Sequence, residues 1–251
     1  GRNPRTDQKA VAKLSAIQLQ SSKLFPAVTV EDMLTLWSRI YQNAKSPQSI
    51  VKSLKMESFK HRPIEKLSGG QYQLVRVASA LIANVPLTIL DEPTNNLDPE
   101  VKANVWDYVS RCAENQKKTL IFATHTMEDA EKYSNWTVLL NEGNALYVGP
   151  TKKLIETVFP LSHEISFIVS SARSNDNGLQ SELNCIKKAE AIVEHKKVGD
   201  GVKYTISTST AEKDWVLHKI ARHEGVKNLD WRKRNLEDTY NELVKKQTRW
   251  S

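Results

Sequence analysis

Leu67-Ser68-Gly69-Gly70-Gln71 and Thr88-Ile89-Leu90-Asp91-Glu92-Pro93-Thr94 decide how this chain is read. In the first string a serine and two glycines open a helical pattern, which gathers a hydroxyl and unobstructed backbone N–H groups at one point. First-turn N–H groups have no intrahelical partners and the helix dipole is positive there, so the site suits an anion. The second string is a short apolar run that ends in two adjacent carboxylates, with Asp91 twenty-one positions after Gly70 (91 − 70 = 21). Open α/β sheets collect ligands at the carboxyl ends of their strands. A carboxylate there suits a hard cation such as Mg²⁺, which prefers oxygen ligands, and its neighbour Glu92 is placed to polarise a water. Taken singly, the strings also read as a glycine-softened helix start and an acidic turn closed by Pro93.

Outward from this pair, the pattern is strand, helix, strand. Leu14–Gln20 reads as the end of a strand. Thr29 caps a helix with Asp32 three residues on, and Val30, Met33, Leu34, Trp37 and Ile40 form an apolar stripe at helical spacing. A second helix is expected from Ser68 through Val75, Ala78, Leu81 and Ile82, stopped by Asn84 to Pro86 and followed by a buried strand over 87–90. Asp98-Pro99 supplies an N-cap and a first-turn proline for a helix to about Arg111, burying Val101, Val105 and Tyr108. Thr119–Ala123 is a further β-branched, apolar strand. The order predicts a parallel sheet with crossover helices.

Composition shifts after Gly149-Pro150. Residues 136–140 and 145–148, joined by Asn141-Glu142-Gly143-Asn144, predict a hairpin. From His163 on, strands at 165–170 and 202–207 alternate with amphipathic stretches carrying Trp215 and Ile220, then Leu236, Tyr240, Leu243 and Val244, with turns at 176–178 and 199–201. The stripe on 236–246 must bury against something, and the expected partner is the small sheet near 165–170 and 202–207. The expected boundaries are 1–160 and 161–251.

The chain has 251 residues, 39% hydrophobic and 26% charged, enough for one large or two small domains. No run approaches the ~18 apolar residues that cross a bilayer. Cys112 and Cys185 are the only cysteines, which argues against a disulfide framework or structural zinc. The net charge of +7 is spread: 161–251 holds 16 Lys+Arg and 13 Asp+Glu, a net of +3, and the rest holds +4. A nucleic-acid footprint concentrates its charge on one face, so no nucleic-acid partner is expected.

Further motifs sit around the opening pair. His125 follows the 119–123 strand, 34 residues after Asp91 (125 − 91 = 34), and Asn95-Asn96-Leu97-Asp98 follows the carboxylates. Gln20 precedes Ser21-Ser22-Lys23-Leu24-Phe25-Pro26, with Gln18 a rival two residues earlier. In this order the residues resemble the signature motif, Walker B motif, D-loop, switch histidine and Q-loop of the ABC ATPases. The resemblance implies an α/β fold: a partial ABC nucleotide-binding domain, with parallel sheet, crossover helices and helical signature subdomain, over 1–160. A small α+β regulatory domain over 161–251 would follow.

It also implies ATP and Mg²⁺ as cofactors, with Asp91 and Gln20 at the metal, Glu92 as catalytic base and His125 as the switch residue on the γ-phosphate. Ser68, Gly69, Gly70 and Gln71 would cap ATP held by a second nucleotide-binding domain in a head-to-tail sandwich, with Asp98 along that interface. One departure is Leu74, where the family usually has a basic residue; Arg76 lies two positions on. A larger one is the lack of any Gly-x-x-x-x-Gly-Lys-Ser/Thr phosphate loop. In the family that loop lies upstream of the Q-loop, so it is expected ahead of Gly1, and residues 1–251 alone are expected to be inactive.

Thr126-Met127-Glu128-Asp129-Ala130-Glu131, Trp106-Asp107, Gly149-Pro150-Thr151-Lys152-Lys153-Leu154 and the stretch Asn235–Leu243 resemble A-subfamily members. These are single-chain transporters, generally of lipids or sterols. That implies transmembrane partner domains, a lipid-like substrate and a place on the cytoplasmic side of a membrane. Two other readings stay open. Asn95-Asn96 also fits a soluble ABC ATPase acting on ribosomes, and the missing loop fits a degenerate, non-hydrolysing regulatory domain.

Overall fold

The computed structural model describes residues 1–20, 23–116, 118–170, 174, 177–188 and 191–248. Ser21 and Ser22, in the stretch after Gln20, and Asp176, in an expected turn, lie outside the described residues. Packing divides the chain into two compact units, Gly1–Thr126 and Met127–Ser251.

The first unit runs α1 (Gln8–Leu14), β1 (Ser15–Gln18), α2 (Val30–Ile40), α3 (Pro47–Ser53), α4 (Gly69–Leu81), β2 (Leu87–Asp91), α5 (Pro99–Gln116) and β3 (Thr119–Ala123). Thr29 caps α2 by accepting the Asp32 N–H at 3.2 Å, and Val30, Met33 and Leu34 are buried as the stripe requires. Ile40, expected in the same stripe, is exposed. α3 was not foreseen; Ser46 caps it, with proline in its first turn, but at seven residues it carries too few turns to show a period.

The three strands form a parallel sheet in the order β1-β2-β3. Gln18, Leu90 and Phe122 share one row, on the buried face. α4 packs on β1 and β2, and Trp106 of α5 meets Phe122 edge-on with centroids 4.6 Å apart. Ile17, Ile89 and Ile121 share the adjacent row on the opposite face. There Ile17 is 55% and Ile121 52% exposed, although parallel sheets are normally covered on both faces.

The second unit begins with α6 (Met127–Tyr133), the hairpin β4 (Trp136–Asn141) and β5 (Asn144–Pro150), and α7 (Thr151–Val158). A βαββαβ arrangement follows: β6 (His163–Ser170), α8 (Asn177–Lys188), β7 (Ile192–Val198), β8 (Gly201–Thr208), α9 (Lys213–Ala221) and β9 (Val226–Lys233), closed by α10 (Leu236–Thr248). The sheet is antiparallel in the order β7-β8-β6-β9. Its inward face joins Ile165, Phe167, Val169, Tyr204 and Ile206 to Leu179, Leu183 and Ile186 of α8 and Val216 and Ile220 of α9. Gly201 permits close packing, since a Cβ there would lie 2.9 Å from Ile168 Cγ2 and 3.0 Å from the Val169 carbonyl oxygen.

Two expectations are corrected here. The stripe of α10 does not rest on the β6–β8 sheet. Leu236, Tyr240 and Leu243 cluster instead with Leu139, Leu154 and Ile155, beside Met127 and Ala130 of α6. A boundary at 160–161 would therefore cut a core, because residues from both sides of it share that cluster. The inward face of that sheet is already covered by α8 and α9.

The start of α10 is fixed by a reciprocal cap. Asn235 Oδ1 accepts the Asp238 N–H at 2.9 Å, and Asp238 Oδ2 accepts the Asn235 N–H at 3.0 Å. Arg232 grips both Asp238 oxygens at 2.7 and 3.0 Å and reaches Glu164 at 3.1 Å. Burial alone would raise the Asp238 pKa, but the Arg232 guanidinium and the Asn235 N–H outweigh it and hold the carboxyl below its ordinary range. A carboxylate depressed in the folded state stabilises above its unfolded pKa, and that contribution fades as pH falls through the folded value. Asp238→Asn is thus expected to flatten the acid side of the stability profile of this unit. Identical acid profiles for the two proteins would remove the pair from the account.

Candidate active site

All three parallel strands deliver polar residues to one edge. β1 ends near Gln18 and Gln20, β2 at Asp91 and Glu92, and β3 just before Thr124 and His125. Glu92 stands at φ +48°, a left-handed conformation that costs a non-glycine residue on the order of 1–3 kcal/mol. It is held there by its N–H, which donates to the Ala123 carbonyl at 3.0 Å. The turn swings the carboxylate toward β3, where Oε1 accepts the His125 backbone N–H at 3.0 Å and lies 2.9 Å from His125 Nδ1. With Nδ1 protonated, the ring donates to Glu92 and presents Nε2 outward; the ring is largely exposed. Both Glu92 bonds fall on Oε1, which leaves Oε2 to accept from a water.

Gln20 and Gln18 divide their roles around Asp91. Gln18 is 2% exposed and its Nε2 donates to the Asp91 carbonyl at 3.0 Å, so its side chain ties β1 to β2. Gln20 is exposed, and its backbone N–H lies 3.3 Å from Asp91 Oδ2. If Mg²⁺ binds at this edge, the Asp91 carboxylate would hold it, with the Gln20 side-chain oxygen as the expected second ligand. Among the described residues no cluster of three His, Cys, Asp or Glu forms a protein cage. Such a set fits Mg²⁺, which keeps waters and binds through one or two carboxylates plus phosphate oxygens. When bound, the ion would supply charge neutralisation for phosphate oxygens.

α4 starts with a complete capping box. Ser68 Oγ accepts the Gln71 N–H at 3.3 Å, and Gln71 Oε1 accepts the Ser68 N–H at 3.2 Å. Both side chains therefore shape the helix start, while Gly69 has nothing within 4 Å of where a Cβ would be. Gly70 lies against the next motif: a Cβ there would stand 3.1 Å from the Asn96 carbonyl oxygen. Asn96 itself is left-handed at φ +61°, a conformation asparagine tolerates well. Asp98 caps α5, its Oδ1 accepting the Val101 N–H at 3.1 Å.

Gln73, not foreseen from the sequence, and Arg76, noted there only as the basic residue two positions past Leu74, join these motifs. Gln73 Nε2 donates to the Glu92 carbonyl at 2.9 Å and the Pro93 carbonyl at 3.1 Å. Arg76 donates to Gln73 Oε1 at 2.9 Å and to the Leu19 carbonyl, next to Gln20. Burial pulls Arg76 below the usual guanidinium range, with Tyr72 and Asp91 acting against that. Tyr72 Oη accepts the Leu24 N–H at 2.9 Å. One helix thus braces the segments bearing Gln20 and Glu92. The available signal was a pair of polar side chains, three residues apart, on the otherwise apolar face of α4.

Residues 2–95 match the family model described as ABC transporter. The chain is 27% identical over 158 residues to the petrobactin import ATP-binding protein YclP of Bacillus subtilis, covering 60% of the chain and 63% of the relative. It is 31% identical over 155 residues to the thiamine import ATP-binding protein ThiQ of Photobacterium profundum, covering 60% and 64%. It is 33% identical over 161 residues to ABC transporter G family member 20 of Dictyostelium discoideum, covering 62% and 22%. The chain thus spans less than two thirds of the length of these curated relatives. Among solved structures, an ATP-binding subunit of an ABC transporter aligns with TM-score 0.56 at 20% identity, covering 62% of the chain and 67% of its own. A dimeric, post-hydrolysis ATP-binding cassette bound to ADP and Pi aligns with TM-score 0.51 at 25% identity, covering 59% and 68%. The fold is that of a partial ABC ATPase domain.

Proposed function

We propose that this chain, which carries a portion of an ABC transporter ATPase domain, contributes the signature, Walker B, D-loop and switch elements of an ATP-hydrolysing engine for membrane transport. The observation that carries the proposal is the Glu92–His125 contact at the strand edge, beside Asp91. Phosphoryl transfer asks a protein mainly for positioning and charge neutralisation. In this reading Glu92 Oε2 orients the attacking water, His125 Nε2 faces the γ-phosphate, and Asp91 with Gln20 holds Mg²⁺. The first turn of α4 caps ATP bound by a second nucleotide-binding domain.

Its further partners are the transmembrane domains of the transporter, with this domain on their cytoplasmic side. No helix among the described residues is long and apolar enough to cross a membrane. A lipid-like substrate is supported by the A-subfamily resemblance of 126–131, 149–154 and 235–243. The βαββαβ sheet, with a filled core of its own, takes the regulatory role. The relatives' names cover import of petrobactin and of thiamine, so transport assays with those solutes and with labelled lipids discriminate the substrate class.

The first test uses the 251-residue polypeptide itself. With no phosphate loop in its sequence, it is expected to show no ATP turnover above a Glu92→Gln control and little ATP affinity. Joined to a segment bearing such a loop, it is expected to hydrolyse Mg-ATP. Turnover by the 251 residues alone would overturn the assignment of roles.

A further inference from the structure

A cleft of about 540 Å³ opens in the first unit between the segment ahead of α3, the end of α4, and α5; Lys45, Ser49, Ser53, Asn84, Tyr108 and Lys118 line it. Asn84 and Lys118 precede β2 and β3, so the cleft lies at the amino ends of these strands. Asp91, Glu92 and His125 are at the carboxyl ends. A five-residue strand separates the two by roughly 16 Å at ~3.3 Å per residue, so the cleft is no part of the nucleotide edge.

Its chemistry is one-sided. None of the six lining side chains is acidic. Lys45 Nζ donates to Tyr108 Oη at 2.7 Å and to Cys112 Sγ at 3.0 Å, and sits 4.7 Å from the Tyr108 ring centre. That fixes the ammonium in place, with one of its three donors to spare. Lys118 donates to Asn84 Oδ1, while Asn84 Nδ2 donates to the Asn43 carbonyl at 2.8 Å. Asn84 itself stands at φ +54°. Ser49 and Ser53 lie four residues apart on α3, hence on one side of it, and add two hydroxyls. Both lysines are half-buried. The Lys118 ammonium is pulled below the usual lysine range, by burial first and by the charge of Lys45 second. For Lys45, by contrast, burial acts downward, but its hydrogen bonds to Tyr108 and Cys112 outweigh it and hold the ammonium above the usual lysine range. Two partly desolvated cations with spare donors at one cleft lower their energy by taking an anion between them. The volume exceeds a bare phosphate and falls in the ~300–1,000 Å³ range of small-ligand sites.

We propose that this cleft binds a phosphate-bearing anion, with Lys45 and Lys118 as the charged clamp and Ser49, Ser53 and Asn84 as its neutral donors. The site is independent of the ATP-hydrolysis reading. The shared chemistry is a phosphate ester or diphosphate group, whether carried by a soluble metabolite or by a lipid headgroup.

The experiment titrates the 251-residue chain with inorganic pyrophosphate by calorimetry at low and moderate salt, and measures co-sedimentation with vesicles containing phosphatidic acid. Expected is saturable one-site binding in at least one arm, weakened at least about tenfold by Lys118→Gln, since a lost charge-assisted hydrogen bond is worth ~1.5–3 kcal/mol. Lys45→Gln leaves Tyr108 without its ammonium and can disturb packing. Ser49→Asp is therefore the second variant: it sets a carboxylate at the exposed rim and is expected to abolish binding with an unchanged melting curve. Ser68→Ala, at the signature helix, is expected to leave binding intact. Pyrophosphate binding assigns a soluble anion bearing a phosphate or diphosphate group, and vesicle binding alone assigns a headgroup. No saturable binding in either arm, equal binding by Ser49→Asp, or loss in Ser68→Ala instead would overturn the proposal.

Discussion

Replacing Glu92 by glutamine in a polypeptide that joins this chain to a phosphate loop is expected to lower steady-state ATP turnover by about 10²–10⁴-fold, the range a positioned general base contributes. The substituted amide keeps an Oε1 acceptor for the His125 N–H, which the carboxylate holds at 3.0 Å, so the left-handed turn at φ +48° has no reason to move. In the proposed reading, what is lost is the second carboxylate oxygen as proton acceptor for the attacking water. Asp91 stays in place, so Mg-ATP is expected to bind with near-native affinity and to accumulate in a closed, two-domain state. Nucleotide retention after gel filtration reads that state directly. Wild-type turnover by Glu92→Gln would remove Glu92 from the chemistry. His125→Ala separates the two roles, because it deletes the ring contact while keeping the backbone N–H to Glu92.

Phe167→Ala is expected to destabilise the second unit by about 3–5 kcal/mol, a large share of the ~5–15 kcal/mol that holds a typical domain. Phe167 is fully buried and stacks on Tyr204 with centroids 5.2 Å apart, at the centre of the β6–β8 pairing. Both helices on that face pack into the same cluster, so truncation there opens a void at its centre. Leu236 belongs to the other cluster, with Leu139, Leu154 and Ile155. Hydrogen exchange on the variant is therefore expected to rise first in β6, β8, α8 and α9, and later in the β4–β5 hairpin and α10. Simultaneous loss of protection in both sets would mean that the clusters act as one.

The parts legible in the sequence are those where local chemistry and burial agree. Ser68 and Thr29 announce their helices through side chains that the backbone needs, and 87–90 and 119–123 read as strands because their residues are apolar or β-branched. β7 and β9 escaped notice for a physical reason. They are the two edges of the sheet, and Glu194, Lys196, Lys197, Lys227, Asp230 and Arg232 break any apolar alternation, which is how natural edges avoid pairing with other chains. The stripe of α10 told that the helix buries a face, not against what. Stripe geometry is a property of one element, while the partner depends on which other surfaces are already filled. At the site, the contact between Glu92 and His125 needed the strand register, which sets Asp91 beside Ala123. Gln73 and Arg76 carry no motif of their own and act through carbonyl groups, which any sequence possesses.

The exposed Ile17 and Ile121, flanking the half-buried Ile89, also govern how this polypeptide behaves in a test tube. They are adhesive apolar spots on the two outer strands of the sheet, and the hairpin adds a strip in Trp136, Val138 and Leu140, all exposed. Such strips find each other as readily as they find a natural cover. Light scattering that climbs with concentration, and climbs further with a salting-out anion such as sulfate, is the expected colloidal signature. A solvent-facing Lys or Glu at position 121 is the expected remedy for anyone who needs the material clear.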